Sequence, residues 1–185
     1  MGLIPLDLTL LHAPKIADGK LKTFVLPSVH PLPLDLVPDE SCTGWNALLG
    51  AVRTKNSLPD DIREIAICRP ALINQAWFEW NAHAPILLAA DGFNQEKLDV
   101  VQQLNPSSKG PLDDRQWAAL RYADAMTRDI KVPQALFDEI KQVGFNDQQI
   151  VELTATVASY NLVSRFLVAL DVGEQNGKVP DWAGK

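Results

Sequence analysis

Residues 58–98 read LPDDIREIAICRPALINQAWFEWNAHAPILLAADGFNQEKL, and this stretch decides the fold. Its first third carries apolar residues at helical spacing, which predicts a helix that begins just after Ser57. Pro70 removes one backbone N–H donor, so we expect a kink or break near that residue. A further helix is predicted over residues 74–90, and Asn94 is a typical N-cap for the helix that follows.

The second half of the chain repeats this pattern of capped helices. Asp113 with Gln116, and Asn146 with Gln149, have the spacing of capping boxes, in which two side chains satisfy free backbone N–H groups. The second box opens the longest predicted helix, about residues 147–172. Nowhere does the sequence show the alternating, β-branched runs that are typical of a sheet. We therefore predict an all-α protein.

The prolines divide the chain into three parts. Residues 1–40 contain six of the 13 prolines, a density that forbids long helices or central strands. We interpret this segment as an extended Pro-rich N-terminal arm that packs on the body or on a neighbouring subunit. Residues 41–173 form the predicted helical domain, and residues 174–185 are interpreted as a loose polar tail.

Composition and charge exclude several classes of function. The 185 residues, 46% hydrophobic and 22% charged, fit one ordinary globular domain. A net charge of −6 argues against nucleic acid as a partner, because phosphates favour a basic face. No apolar stretch approaches the roughly 18 residues of a membrane span, and the N-terminus lacks a basic region typical of secretion signals. We expect a cytoplasmic protein that binds no membrane, in which Cys42 and Cys68 are reduced thiols rather than a disulfide.

The run FEWNAH at residues 78–83 holds the first candidates for chemistry. Glu79 and His83 are four residues apart, so on a helix they share a face and can touch. A carboxylate that accepts an imidazole N–H fixes the ring tautomer and raises its basicity, which suits proton transfer. The alternative is an ordinary polar pair on the helix surface. Glu64 is a third candidate acid, although Arg63 or Arg69 would equally explain it as an ion-pair partner.

Metal and phosphate chemistry have little support in the sequence. A single histidine beyond residue 30 and scattered carboxylates leave a zinc or iron centre short of nitrogen ligands, and there is no HExxH motif. The ten glycines are scattered rather than grouped in a phosphate-binding loop. We therefore expect no metal and no cofactor.

Three segments together resemble the carboxymuconolactone decarboxylase and alkyl hydroperoxidase D-like (AhpD-like) family. The quoted stretch at residues 58–98 is similar to the family's core signature of two helices followed by a short helix. LDDRQWAALRYADAMTRDIKVPQALFDEIK and DQQIVELTATVASYNLVSRFLVALDV resemble its later helices. The match covers about residues 42–172, so the arm lies outside it. The resemblance implies an all-helical subunit that assembles as a homo-oligomer, usually a trimer or hexamer, with a dimer as a further option.

The resemblance also implies roles for individual residues. The peroxidase-like branch uses a glutamate, a CxxC pair and a histidine as a proton relay, and these positions fall on Glu64, on Ala76 and Glu79, and on His83. Without the two cysteines a dithiol peroxidase mechanism is not available, because the thiolate is the nucleophile. Cys68 has no partner nearby in sequence. The acid–base half of the relay is retained.

The decarboxylase branch of the family requires an acid that reprotonates carbon and groups that stabilise an enolate. We predict His83, oriented by Glu79 and with Glu64 as a relay, for the acid–base work. Arg69 is the predicted anchor for a substrate carboxylate, with Arg53 as the weaker candidate.

Aromatic residues complete the predicted substrate site. Trp80, Trp77 and Trp45 are candidates for a flat apolar pocket, and the alternative is that each is simply a core residue. The resulting hypothesis is a cofactor-free decarboxylase, isomerase or related lyase for a small keto acid or lactone, aromatic-derived or polyketide-like. The alternative hypothesis is a non-catalytic helical oligomer.

Overall fold

The structure, a computed structural model, describes residues 39–183, with side-chain detail from residue 44 onward. This part of the chain forms seven α-helices and a short 3-10 helix, so the all-α prediction is confirmed. The helices are α1 Asp39–Thr54, α2 Asp60–Ile73, α3 Trp77–Leu88, α4 Gln95–Val101, α5 Asp114–Asp129, α6 Gln134–Gln142 and α7 Asp147–Ala169; the 3-10 helix is Val172–Glu174. The predicted arm falls, apart from its last two residues, outside the described residues, as does the side chain of Cys42.

Helices α5 and α7 begin at the predicted capping boxes, whereas α2 begins after Pro59 without a side-chain cap. The Asp113 side chain accepts the backbone N–H of Gln116, whose own side chain accepts the Asp113 N–H, so the capping box is complete. Asn146 and Gln149 make the same pair of bonds at the start of α7. Each box satisfies backbone N–H groups that have no partner inside the helix, which fixes where the helix begins.

Helix α2 lies at the centre of the described fold and packs against α3, α5 and α7. The predicted break at Pro70 is absent, because α2 continues to Ile73 with Pro70 inside it. Most of its residues are buried, including every residue from Glu64 to Leu72. Burial on several sides outweighs the roughly 3 kcal/mol that a proline costs in a helix interior.

The C-terminal segment packs on the helical body at Trp182, whereas the sequence suggested a loose tail. Trp182 packs edge-on against Trp77, with ring centroids 6.2 Å apart, and lies 5.2 Å from the ring of Trp80. These contacts add Trp182 to the main apolar core. The sequence between residues 174 and 185 is polar enough to suggest a solvated tail, but a single large aromatic residue is sufficient to dock it.

Candidate functional site

Helices α2 and α3 bring Glu64 and His83 together inside the protein. Glu64 Oε2 lies 2.7 Å from His83 Nδ1, and each residue is only 3% exposed. In the tautomer with the ring proton on Nδ1, His83 donates to the Glu64 carboxylate, and Nε2 is then the ring nitrogen that can act on a substrate. The Glu64 carboxylate also stabilises the positive charge that the ring acquires when Nε2 is protonated.

The predicted pairing of Glu79 with His83 is wrong in this structure. Glu79 lies one turn before His83 on α3, but the hydrogen-bond partner of the ring is Glu64. Neither Glu79 oxygen has a hydrogen-bond partner among the described residues, although the residue is only 3% exposed. Burial raises the pKa of Glu79 well above its usual value of 4.5, which favours the neutral acid.

Tyr160 on α7 is a neighbour of the site that sequence reasoning did not select. Its ring meets the His83 ring edge-on, with centroids 5.2 Å apart; the Arg53 guanidinium approaches its hydroxyl oxygen as a donor, but the hydroxyl proton has no acceptor among the described residues. Burial raises the pKa of Tyr160, the nearby Arg53 guanidinium opposes that rise, and the Glu79 and Glu64 carboxylates add to it. The sequence indicates this residue only weakly, because Tyr160 is a single phenol among the apolar positions of α7.

Arg69 does not reach the candidate site with a free donor. Its guanidinium makes a two-pronged bond to Asp124, with distances of 2.6 and 2.7 Å, and donates to the backbone carbonyls of Val101, Gln103 and Leu104. An arginine has five N–H donors, and these five bonds use all of them. The fully buried Arg69 therefore joins α2 to α5 and to the end of α4. Because all of its donors are used within the protein, we do not propose it as a substrate-binding residue.

The three predicted pocket tryptophans are not brought together. Trp77 and Trp80 are buried in the main core beside Trp182. Trp45 belongs to a second apolar cluster between α1 and α7, where it lies 5.1 Å from the Phe166 ring. Tyr160, which contacts His83, belongs to this second cluster. Of the three predicted tryptophans, Trp45 is therefore the one that packs in the same cluster as a residue of the site.

Cys68 lies close to both carboxylates but is poorly suited to thiol chemistry. It is fully buried and free. Burial raises the pKa of its thiol, and the charges of Glu64 and Glu79 raise it further. Because the thiolate is the reactive species, this environment makes Cys68 unreactive. Within residues 39–183 no group of three or more His, Cys, Asp or Glu side chains is placed to hold a metal ion.

Comparison with known proteins identifies the fold that carries this candidate site. No family model matches the sequence. No curated protein matches it either. Solved structures do match, and they are AhpD-like and peroxidase-related proteins, so the chain has the AhpD-like helical fold that the sequence predicted.

Three of these structures are an uncharacterized peroxidase-related protein from Silicibacter sp. TM1040, another from Ralstonia eutropha JMP134 with the alkylhydroperoxidase AhpD core, and a protein of unknown function from Agrobacterium tumefaciens provisionally assigned to antioxidant defence as AhpD. The Silicibacter protein has a TM-score of 0.65 at 20% identity, over 88% of this chain and 98% of its own. The Ralstonia protein has a TM-score of 0.63 at 23% identity, over 77% of each chain. The Agrobacterium protein has a TM-score of 0.61 at 21% identity, over 72% of this chain and 90% of its own. Likeness at this identity shows the fold and no more.

Proposed function

We propose that this protein is a cofactor-free acid–base enzyme, a decarboxylase, isomerase or related lyase that acts on a small keto acid or lactone. The observation that carries the proposal is the buried 2.7 Å contact between Glu64 and His83. It is a carboxylate–imidazole pair of the kind that serves as a general acid and base. Aromatic-derived and polyketide-like compounds remain the substrate classes that we favour, as the sequence predicted.

Proton transfer at carbon next to a carbonyl accounts for each reaction in this group. In an isomerisation, His83 Nε2 removes a proton and the C–H electron pair moves onto the carbonyl oxygen to give an enolate. His83 then returns the proton to a different carbon. In a decarboxylation, the C–C bond breaks instead, its electron pair forms the enolate, CO2 leaves, and protonated His83 delivers a proton to carbon. Glu64 stabilises the imidazolium in both cases.

The surroundings of the pair favour this chemistry over an exposed polar contact. Glu64, His83 and Glu79 are each 3% exposed, and the His83 ring packs against the buried ring of Tyr160 on α7. Exclusion of water strengthens the interactions of developing charges with fixed protein groups. A pair on the helix surface, which was the alternative explanation from the sequence, would show neither feature.

The peroxidase-related names of the structural neighbours suggest a second function, which we disfavour. The sequence has no CxxC, and Ala76 and Glu79 stand at the two positions where the family resemblance places the cysteines. Cys68 is buried with a raised thiol pKa, so it does not supply a reactive thiolate. Peroxide reduction with a dithiol donor would contradict this assignment.

The test of the proposal is proton exchange between solvent and a panel of β-keto acids and unsaturated lactones in heavy water, followed by NMR. We expect the wild-type protein to exchange at least one compound class, and His83→Gln and Glu64→Gln to lower the rate about 100- to 10,000-fold. Glu139→Gln is the matched control, because Glu139 pairs with Arg121 on the protein surface. Equal rates in wild type and His83→Gln would contradict the proposal and favour the non-catalytic oligomer.

The remaining predictions concern partners and location. We propose a homo-oligomer with a small molecule as the other partner. None of the helices between residues 39 and 183 combines the length and apolar character that a membrane crossing requires. A cytoplasmic location stays a prediction, which cell fractionation tests.

A further inference from the structure

The buried oxygens of Glu79 and Tyr160 are unusual because they lack well-formed hydrogen bonds. In the described part of the chain, no hydrogen bond of good geometry reaches four buried side-chain polar atoms, and three of them are Glu79 Oε1, Glu79 Oε2 and the Tyr160 hydroxyl; the Arg53 guanidinium approaches that hydroxyl, but only as a donor. Each unpaired buried polar group costs about 1–3 kcal/mol, so such groups are rare without a reason. Both residues neighbour His83, Tyr160 by ring contact and Glu79 on the same helix, and this shared neighbour points to a ligand.

The geometry joins both residues to the proton-transfer pair. The Tyr160 ring lies edge-on against the His83 ring at 5.2 Å. Glu79 lies one helical turn from His83 on α3, and its charge is close enough to influence Tyr160. Both residues are therefore neighbours of the His83 side chain that Glu64 orients.

Both residues can act as hydrogen-bond donors. Burial raises the pKa of Glu79 and of Tyr160, and in each case this favours the protonated form. A neutral carboxylic acid and a phenol each present one O–H donor. Such donors, fixed in a site without water, stabilise negative charge on an oxygen that forms during a reaction.

We propose that Tyr160 and Glu79 form a two-donor site for the enolate oxygen of the substrate. This inference rests on the proposed function and deepens it, because it assigns the group that stabilises the intermediate. When His83 Nε2 takes a proton from carbon, the electron pair moves onto the carbonyl oxygen, which receives the two O–H bonds. Reprotonation of carbon reverses this movement, and no group is oxidised or reduced. The substrate class is a ketone or keto acid that forms an enolate.

The site is tested with 4-nitrophenol, whose absorbance distinguishes the phenol from the phenolate. We expect the wild-type protein to bind it as the phenolate and to lower its apparent pKa, because the phenolate oxygen imitates the enolate. Tyr160→Phe and Glu79→Leu should each weaken binding about 10- to 100-fold, as expected for a hydrogen bond to a charged group. Thermal unfolding of both variants checks that the fold is intact.

Tyr122→Phe is the matched control. Tyr122 is also buried, but its hydroxyl is already bonded to Thr154 at 2.8 Å. We expect this variant to bind 4-nitrophenol like the wild type. Failure of the wild type to bind the probe, or wild-type affinity in Tyr160→Phe, would overturn the two-donor site.

Failure of this inference is distinguishable from failure of the proposed function. If His83→Gln abolishes proton exchange while Tyr160→Phe binds 4-nitrophenol normally, the two-donor site is wrong and the proposed function stands. If phenolate binding depends on Tyr160 and Glu79 but the wild type exchanges no proton with any keto acid or lactone, the site is supported and the proposed function is wrong.

Discussion

Glu79 shows how one residue can trade stability for a chemical site. Its carboxyl is buried, without a hydrogen-bond partner among the described residues, and its side chain takes no part in the Glu64–His83 contact. In a protein without a use for this carboxyl, an apolar residue of similar size would pack there at lower cost. Functional sites are the places where such costs are tolerated.

We predict that Glu79→Leu stabilises the protein. Replacement of an unpaired buried carboxyl by an apolar side chain removes a desolvation penalty of about 1–3 kcal/mol. Urea denaturation of wild type and variant measures the difference in the free energy of unfolding. A loss of stability in Glu79→Leu would show that this carboxyl has a partner that the structure does not reveal.

The same residue predicts a pH dependence of stability. The folded-state pKa of Glu79 lies well above the value of 4.5 that describes the unfolded chain. The contribution of Glu79 is therefore fully present below about pH 4.5 and is lost as pH rises through the folded-state pKa. Relative to Glu79→Gln, the wild type should lose up to about 1.4 kcal/mol of unfolding free energy per pH unit in that window. If the unfolding free energy of wild type and of Glu79→Gln changed with pH in the same way, the raised pKa of Glu79 would be contradicted.

The sequence predicted the residues of the site better than their contacts. Resemblance to a known family placed Glu64 and His83 in one relay, 19 residues apart. The local rule that residues four apart share a helix face selected Glu79 instead. Which carboxylate meets the ring depends on how α2 packs against α3 and on side-chain rotamers, and neither can be derived from spacing along one helix.

At the scale of the helices, Arg69 joins three elements of the fold. From α2 it reaches Asp124 on α5 and three backbone carbonyls at and just beyond the end of α4. Carbonyls at a helix end have no partner inside the helix, so Arg69 supplies bonds that α4 cannot make itself. Sequence alone showed only an arginine on an apolar helix, because all of its partners lie more than 30 residues away.

We predict that Arg69→Met destabilises the protein by about 3–5 kcal/mol, because it leaves Asp124 and several carbonyls without their donor. Arg121→Ala is the control: its ion pair with Glu139 is at the surface and is worth at most about 1 kcal/mol. Urea denaturation of both variants measures the comparison. Equal effects in the two variants would show that the buried network contributes no more than a surface pair.

Helix positions were predictable where the determinant is local. The capping boxes that begin α5 and α7 depend on side chains three residues apart, and both formed as predicted. The passage of α2 through Pro70 and the docking of Trp182 depend on contacts with distant residues. Tertiary packing overrode local preference at both places.

At the scale of the whole molecule, α1 and α7 carry an apolar surface that needs explanation. Leu162 and Phe166 lie one turn apart on α7 and are 48% and 45% exposed. The ring of Phe166 contacts Trp45 on α1, and Leu48, also 48% exposed, lies one turn beyond it. Exposed apolar residues on neighbouring helices are typical of interfaces between proteins. We therefore place the predicted homo-oligomer interface on this surface.

Light scattering coupled to size-exclusion chromatography tests that placement. We expect the wild-type protein to elute as an oligomer and Leu162→Glu to shift it toward the monomer, because a charge buried in an apolar interface loses its hydration. Leu104→Glu is the matched control, since Leu104 has the same 48% exposure but follows α4, away from this surface. A monomeric wild type would contradict the predicted assembly. Dissociation by Leu104→Glu, with Leu162→Glu still oligomeric, would move the interface from the α1–α7 surface to the region around the end of α4.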